Sequence, residues 1–121
     1  MYTFLPGWVM RLYHDFDKHE HVYQDLCNLA CHESTIDLCY VKKLPILMDI
    51  SEMFPMMWRF MPMLDLHVDV LMSRDLDSII NKRESAAVAE WIQSSHSLHV
   101  IRDHPLHVKE ILGGLFGIKL G

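Results

Sequence analysis

The most specific chemical signal in the sequence is the carboxylate pair Asp75 and Asp77, which follows an apolar, strand-like run at Val68–Ser73. Two carboxylates separated by one residue on a turning backbone can both bind one hard cation. Mg²⁺ or Mn²⁺ prefers a few such oxygens together with water and a substrate diphosphate, whose charge it neutralises. The alternative is an acidic pair in a solvated turn, and the spacing alone leaves both interpretations open.

A second polar cluster, Arg102-Asp103-His104-Pro105-Leu106-His107, follows another apolar run. A guanidinium group there could bind a phosphate, and a carboxylate or imidazole could contact a sugar hydroxyl or act as a base. The alternative is that Arg102 pairs with Asp103 and the histidines cap a turn. The spacing alone favours this structural alternative.

A glycine-rich segment, Gly113-Gly114-Leu115-Phe116-Gly117, lies near the end of the sequence. Glycines allow close approach of the backbone to a ligand or to another strand. The segment matches neither the Gly-x-Gly-x-x-Gly pattern of dinucleotide-binding folds nor a P-loop, so neither motif supports nucleotide binding. A tight turn is the default interpretation.

The three cysteines, Cys27, Cys31 and Cys39, are too few and odd in number for a disulfide framework. Together with nearby histidines they could bind zinc, although the Cys-x-x-Cys spacing typical of structural zinc sites is absent. Packing of small apolar thiols between a helix and a sheet is the favoured alternative.

The elements that would position these residues alternate along the chain. Apolar periodicity predicts strands at Trp8–His14, Ile36–Val41, Val68–Ser73 and Leu98–Arg102, and helices at His19–Cys31, from a Ser51 cap to Met61, after an Asn81 cap, and at His107–Leu112. This alternation predicts an α/β fold with a mostly parallel sheet flanked by helices. Ligands collect at the carboxyl ends of such strands, where both polar clusters lie.

Length and charge narrow the classes of protein further. A chain of 121 residues fits one domain, and 11 basic against 16 acidic residues give a formal net charge of −5. This balance argues against nucleic acid as the main partner. No apolar run reaches the ~18 residues that a membrane-spanning helix needs.

Taken together, these motifs resemble glycosyltransferase-like proteins of the nucleotide-diphospho-sugar transferase (GT-A) type. The resemblance covers nearly the whole chain. It rests on Pro6-Gly7-Trp8 with Arg11 and Tyr13, Phe54–Phe60, Val68-Asp69, Ser73–Ser78, Arg83-Glu84, Ala87-Val88, Glu90-Trp91, Arg102–Pro105, His107 and Ile111–Gly117.

The resemblance implies a role for each candidate residue. The Ser-Arg-Asp-x-Asp-Ser stretch looks like the family's metal-binding DXD motif, so Asp75 and Asp77 would hold Mn²⁺ or Mg²⁺ on the donor diphosphate. The cofactor-binding candidates, which would contact phosphate or line the donor side of the cleft, are Arg74, Arg102, Gly113 and Gly114. The candidate catalytic residues, which would contact the sugar or the acceptor, are Asp103 and His104.

The function implied by the resemblance is sugar transfer from a nucleotide-sugar to a glycan or other hydroxyl acceptor. Because GT-A domains run to ~200 residues or more, the chain looks like a single, incomplete part of the catalytic domain. Relatives that modify secreted glycans sit in the Golgi behind an N-terminal membrane anchor. The resemblance therefore implies the Golgi if the full-length protein carries such an anchor upstream, and the cytoplasm otherwise. The alternative function is a non-catalytic α/β binding or scaffold domain that keeps the family fold.

Overall fold

The computed structural model describes residues 4–121, which divide into two compact units, Phe4–Arg59 and Phe60–Gly121. Each unit is described by itself. The elements, in chain order, are β1 (Met10–His14), α1 (His21–His32), β2 (Ile36–Tyr40), a 3₁₀ helix (Pro55–Leu64), β3 (Val70–Arg74), α2 (Lys82–Gln93), β4 (Leu98–Val100) and β5 (Leu115–Lys119).

The first unit contains a β-α-β arrangement, as the sequence predicts. β1 and β2 pair in parallel, from Met10 opposite Ile36 to His14 opposite Tyr40. α1 connects the two strands and packs against β2. Its apolar face is only partly covered, since Val22 and Leu29 are 46% and 44% exposed.

The second unit contains a three-stranded antiparallel sheet in the order β3-β5-β4. The chain is therefore α/β, but the prediction of a mostly parallel sheet is wrong. β3 and β4 both run antiparallel to β5 and hence parallel to each other, as expected for strands joined through a helix. The sequence analysis missed β5, which lies between β3 and β4. The glycines of residues 113–117 favoured a turn there instead of a strand.

The boundaries of α2 follow from its capping residues. Asn81 accepts a hydrogen bond from the backbone N–H of Glu84 at 3.0 Å, which confirms the predicted N-cap. At the other end the Lys119 ammonium donates to the carbonyls of Trp91, Ile92 and Ser94. A cation at this end satisfies exposed carbonyl groups and complements the helix dipole.

Two other predicted helices differ from the structure. Residues 107–112 are irregular, with a bend at 109–111 and no helix, so that prediction is wrong. The segment Pro55–Leu64 is helical, but it is a 3₁₀ helix that continues past Pro62. Ser51 is not its cap, because the Ser51 hydroxyl donates instead to Asp49 at 2.7 Å.

One histidine in each unit is buried enough for its protonation to oppose folding. Burial lowers the pKa of His14 below its ordinary value of 6.5, against a smaller opposing effect of Asp15. Burial and then the Arg74 cation lower the pKa of His99, against an opposing effect of Glu84. The folded state therefore favours the neutral form of both imidazole rings.

We expect the free energy of unfolding to decrease as the pH falls below about 6.5, because the unfolded chain then binds protons that folded His14 and His99 do not. The decrease continues down to the lowered pKa values of the folded state. Urea unfolding followed by tryptophan fluorescence at pH 7.5 and 5.5 measures it. The double variant His14→Phe/His99→Phe should lose less stability over this interval than the wild type.

An equal loss in the double variant would assign the pH dependence to other groups. The carboxylates with shifted pKa values act in a separate interval. Hydrogen bonds from Tyr40 and Ser51 lower the pKa values of Asp17 and Asp49 respectively below 3.8. Their contributions are lost only below pH 3.8, outside the measured range.

Candidate functional site

Three segments named by the sequence analysis meet at one edge of the antiparallel sheet. β3 ends at Arg74, which pairs with Leu115 at the start of β5. β4 ends at Val100, which pairs with Phe116. The Asp75/Asp77 pair, the loop at 101–107 and the Gly113-Gly114 turn therefore all begin or end at this edge, which we call the acidic edge.

Asp75 and Gly114 are in direct contact at the acidic edge. A Cβ atom placed on Gly114 would lie 2.5 Å from Cγ and 2.7 Å from Oδ1 of Asp75. Both distances are shorter than non-bonded contacts of real Cβ atoms. Gly114 is buried, whereas Asp75 is exposed. The glycine therefore makes room for the carboxylate.

A buried hydroxyl ties the glycine turn to β3. Ser73 is 4% exposed and donates a hydrogen bond from Oγ to the carbonyl of Gly113. The N–H of Leu115 donates to the carbonyl of Leu112 at 3.0 Å and closes the turn before β5. Ser73 thus fixes the Gly113-Gly114 backbone beside the end of β3.

Asp77 belongs to a tight turn that follows β3. The N–H of Ser78 donates to the carbonyl of Asp75 at 3.0 Å, which closes residues 75–78 into a turn. Both aspartates are exposed there. The structure thus confirms a turning backbone after the strand, with its two carboxylates accessible to solvent.

The Arg74 side chain is directed into the fold. Its Nε donates to Glu84 of α2 in an ion pair whose side chains are 12% and 13% exposed. Nη1 donates to the carbonyl of Ser73 at 2.8 Å. Nη2 is buried and has no hydrogen-bond partner among residues 4–121. Arg74 therefore connects β3 to α2 immediately before the acidic pair.

The loop after β4 holds its polar side chains in local contacts. Asp103 forms an ion pair with Arg83 at 3.7 Å, rather than the pair with Arg102 that the structural alternative predicts, and its Oδ1 lies 3.8 Å from Nδ1 of His107. His104 accepts a hydrogen bond from the N–H of Leu106 at 3.1 Å, which confirms the predicted turn-capping histidine. Arg102 is exposed.

The candidate metal ligands are limited to a pair of carboxylates. Within the part of the chain that the structure describes, no group of three or more His, Cys, Asp or Glu side chains could hold a metal ion. The zinc alternative thus gains no support from Cys27, Cys31 and Cys39, which are free thiols on α1 and β2.

Comparison with known proteins assigns the chain to no family. No family model, curated protein or solved structure matches it. In residues 4–121, no helix is both long enough and apolar enough to span a membrane.

Sequence reasoning gave no role to the two α2 residues that support the acidic edge, although Arg83-Glu84 is among the stretches that carry the resemblance. The Glu84 carboxylate binds Arg74, whereas its backbone N–H donates to the Asn81 cap. Arg83, the neighbouring residue, binds Asp103. The signal that could have identified them is the Arg83-Glu84 pair at the start of a helix that follows an acidic strand end.

Proposed function

We propose that this chain is part of the catalytic domain of a metal-dependent glycosyltransferase, which transfers a sugar from a nucleotide-sugar to a hydroxyl acceptor. The observation that carries the proposal is the convergence of Asp75, Asp77 and the Gly113-Gly114 turn at the acidic edge. The sequence resemblance assigns the same segments to one donor site.

The donor set fits a cation shared with a substrate. Two exposed carboxylates offer too few oxygens for a complete protein cage, which agrees with the absence of any larger cluster of ligands in residues 4–121. Mg²⁺ and Mn²⁺ commonly bind through one or two carboxylates, with substrate phosphates and water filling the other positions. A cation bound there would stabilise the diphosphate as a leaving group.

The side chains around this pair suggest separate tasks. Arg102 is exposed and its guanidinium is suited to a phosphate oxygen. Arg74 is anchored to Glu84, so we assign it to positioning Asp75 rather than to binding the donor. Gly114 has no side chain and therefore leaves room for the Asp75 carboxylate.

The reaction requires few groups from the protein. The bond between the anomeric carbon and the diphosphate oxygen breaks, a bond to the acceptor oxygen forms, and the acceptor hydroxyl loses its proton. Asp103 and His104 are the candidates for contacting the acceptor. Nδ1 of His104 already accepts a hydrogen bond from Leu106, so Nε2 carries the ring hydrogen of the neutral imidazole, and we place His104 as an orienting donor. We favour Asp103, whose side chain is 41% exposed, as the group that accepts the proton.

The test is calorimetric titration of the chain with nucleoside diphosphates, with and without Mn²⁺. We expect one diphosphate to bind only when Mn²⁺ is present, and Asp75→Asn and Asp77→Asn each to weaken binding at least tenfold. Asp69→Asn is the matched control, since Asp69 is exposed just before β3, at the opposite end of that strand. This control should bind as the wild type does.

Two outcomes would contradict the proposal. Binding that is independent of Mn²⁺ and of both aspartates would remove the metal from the site. A folded, cooperatively melting chain that binds no diphosphate would favour the alternative, a non-catalytic domain in which the acidic pair is only a solvated turn.

A further inference from the structure

The first unit contains a cavity of about 470 Å³ that the proposed function does not use. It lies at the carboxyl ends of the parallel strands, because His14 ends β1, Tyr40 ends β2, and the two residues pair in register. Carboxyl ends of parallel strands are where α/β proteins bind ligands. The volume falls within the range of small-molecule sites.

The wall of this cavity is mostly aromatic. The His14 ring lies 6.0 Å from Phe16 with the planes at 16°, 5.9 Å from Tyr23, and 5.5 Å from Tyr40, measured between ring centroids. All four rings line the cavity. Ring faces and edges at such distances make favourable contacts with a further flat ring.

The Tyr40 ring is held in place at the wall. Its hydroxyl donates to Oδ1 of Asp17 at 2.7 Å, and the same oxygen accepts from the Lys42 ammonium at 3.4 Å. Asp17 and Lys42 thus neutralise each other beside the cavity. The lining itself contains one carboxylate, Asp17, and one ammonium group, Lys18, so neither charge is in surplus, which favours a neutral ligand.

His14 supplies a buried polar atom of the cavity wall that has no hydrogen-bond partner among residues 4–121. The side chain is 5% exposed, yet its Nδ1 is buried without a hydrogen bond to any residue from 4 to 121. Leaving a buried polar atom unpaired costs free energy, and buried polar atoms in proteins are normally bonded. A ligand that bonds to Nδ1 would recover this cost.

We propose that the cavity binds a flat, neutral heteroaromatic ring, which packs against Phe16, Tyr23 and Tyr40 and forms a hydrogen bond with Nδ1 of His14. An aliphatic ligand would forgo the contacts between flat rings, and a hydrocarbon ring would leave Nδ1 unpaired. All groups in this inference belong to residues 4–59, so it is independent of the proposed glycosyltransferase activity.

The test compares two probes of nearly equal shape, benzimidazole, which has a ring N–H and a ring nitrogen, and indene, its hydrocarbon analogue. Titration is followed by NMR of the His14 ring nitrogens and of the Tyr23 and Tyr40 ring protons. We expect benzimidazole to shift these signals saturably and to bind at least tenfold more tightly than indene, whichever tautomer His14 adopts.

The variant His14→Phe keeps an aromatic ring and removes the nitrogen, so it should bind the two probes about equally. His21→Phe is the matched control, because His21 is an exposed histidine at the start of α1. This variant should keep the tenfold preference. The comparison of probes on the wild type needs no variant and remains decisive if His14→Phe fails to fold.

Equal binding of benzimidazole and indene to the wild type would overturn the role of His14. Absence of any saturable shift at Tyr23 and Tyr40 with millimolar benzimidazole would overturn the site itself. Either result leaves the test of the acidic edge unaffected, since that test measures Mn²⁺-dependent diphosphate binding in the other unit.

Discussion

Replacing Glu84 with alanine is expected to lower the free energy of unfolding by about 3 kcal/mol, because it leaves the Arg74 guanidinium charged and unpaired. Removing one partner of a buried ion pair costs about 3–5 kcal/mol. The lower end applies here, since the Arg74 and Glu84 side chains keep 12% and 13% of their surface exposed. Arg74 already has one buried nitrogen, Nη2, without a hydrogen bond within residues 4–121.

Thermal and urea unfolding measure this loss, which corresponds to roughly 12 °C in Tm for a domain of about this size. The double variant Arg74→Met/Glu84→Leu should recover most of the lost stability, because apolar side chains of similar volume often replace a buried ion pair at little cost. A double variant as unstable as Glu84→Ala would show that hydrogen bonds of Arg74 matter more than its charge.

The exposed ion pair of the neighbouring residue is the matched control. The Arg83 and Asp103 side chains are 77% and 41% exposed, so solvent screens their interaction. Replacing Arg83 with alanine should change the free energy of unfolding by less than about 1 kcal/mol. A loss as large as that of Glu84→Ala would mean that the two adjacent pairs act as one network.

Local sequence patterns predicted most of the elements. The alternating residues of β1, the apolar spacing of α1 and the Asn81 cap of α2 each depend on neighbours within a few positions, so the sequence carries their signal. The parallel pairing of β1 with β2 also follows from a strand-helix-strand order. These predictions are confirmed.

β5 could not be predicted in the same way. Gly117 is unfavourable in an isolated strand, and its presence in β5 is explained only by the Trp91 ring that packs against it. That contact joins residues 26 positions apart, which a local pattern does not record. The missing strand turned an antiparallel sheet into a predicted parallel one.

The sequence motifs predicted the segments of the acidic edge one by one, and only the resemblance placed them in one site. Two of its segments, after β3 and after β4, follow from the ends of apolar runs. Their meeting with the glycine turn depends on β5, whose start lies beside both strand ends. The metal, the donor and the acceptor stay predictions, as does the assignment of the chain to a single domain.

The cavity at His14 was missed because its groups carry no motif. His14 ends β1, and Phe16 follows that strand. Tyr23 lies in the first turn of α1, and Tyr40 ends β2. Each is an ordinary residue in its own element. Only the parallel register, which places His14 opposite Tyr40, brings the rings together.

Gly117→Ala is expected to lower the free energy of unfolding by about 2 kcal/mol, whereas Gly114→Ala should change it by less than about 1 kcal/mol. A Cβ on Gly117 would lie 2.7 Å from Cη2 of Trp91 and 3.2 Å from Cγ of Met72. Trp91 is 5% exposed and stacks on His99 at 5.1 Å, so it has little room to move. Urea unfolding of the two variants measures the difference.

Gly114→Ala should instead impair the site, because its Cβ meets the Asp75 carboxylate, the end of an exposed side chain that can turn away. Under the proposed function, this variant weakens Mn²⁺-dependent diphosphate binding as Asp75→Asn does, although no ligand atom is removed. Gly117→Ala should retain that binding at temperatures where it is folded. If Gly114→Ala binds as the wild type does while Asp75→Asn does not, the carboxylate reaches the cation from another rotamer, and the contact with Gly114 serves packing alone.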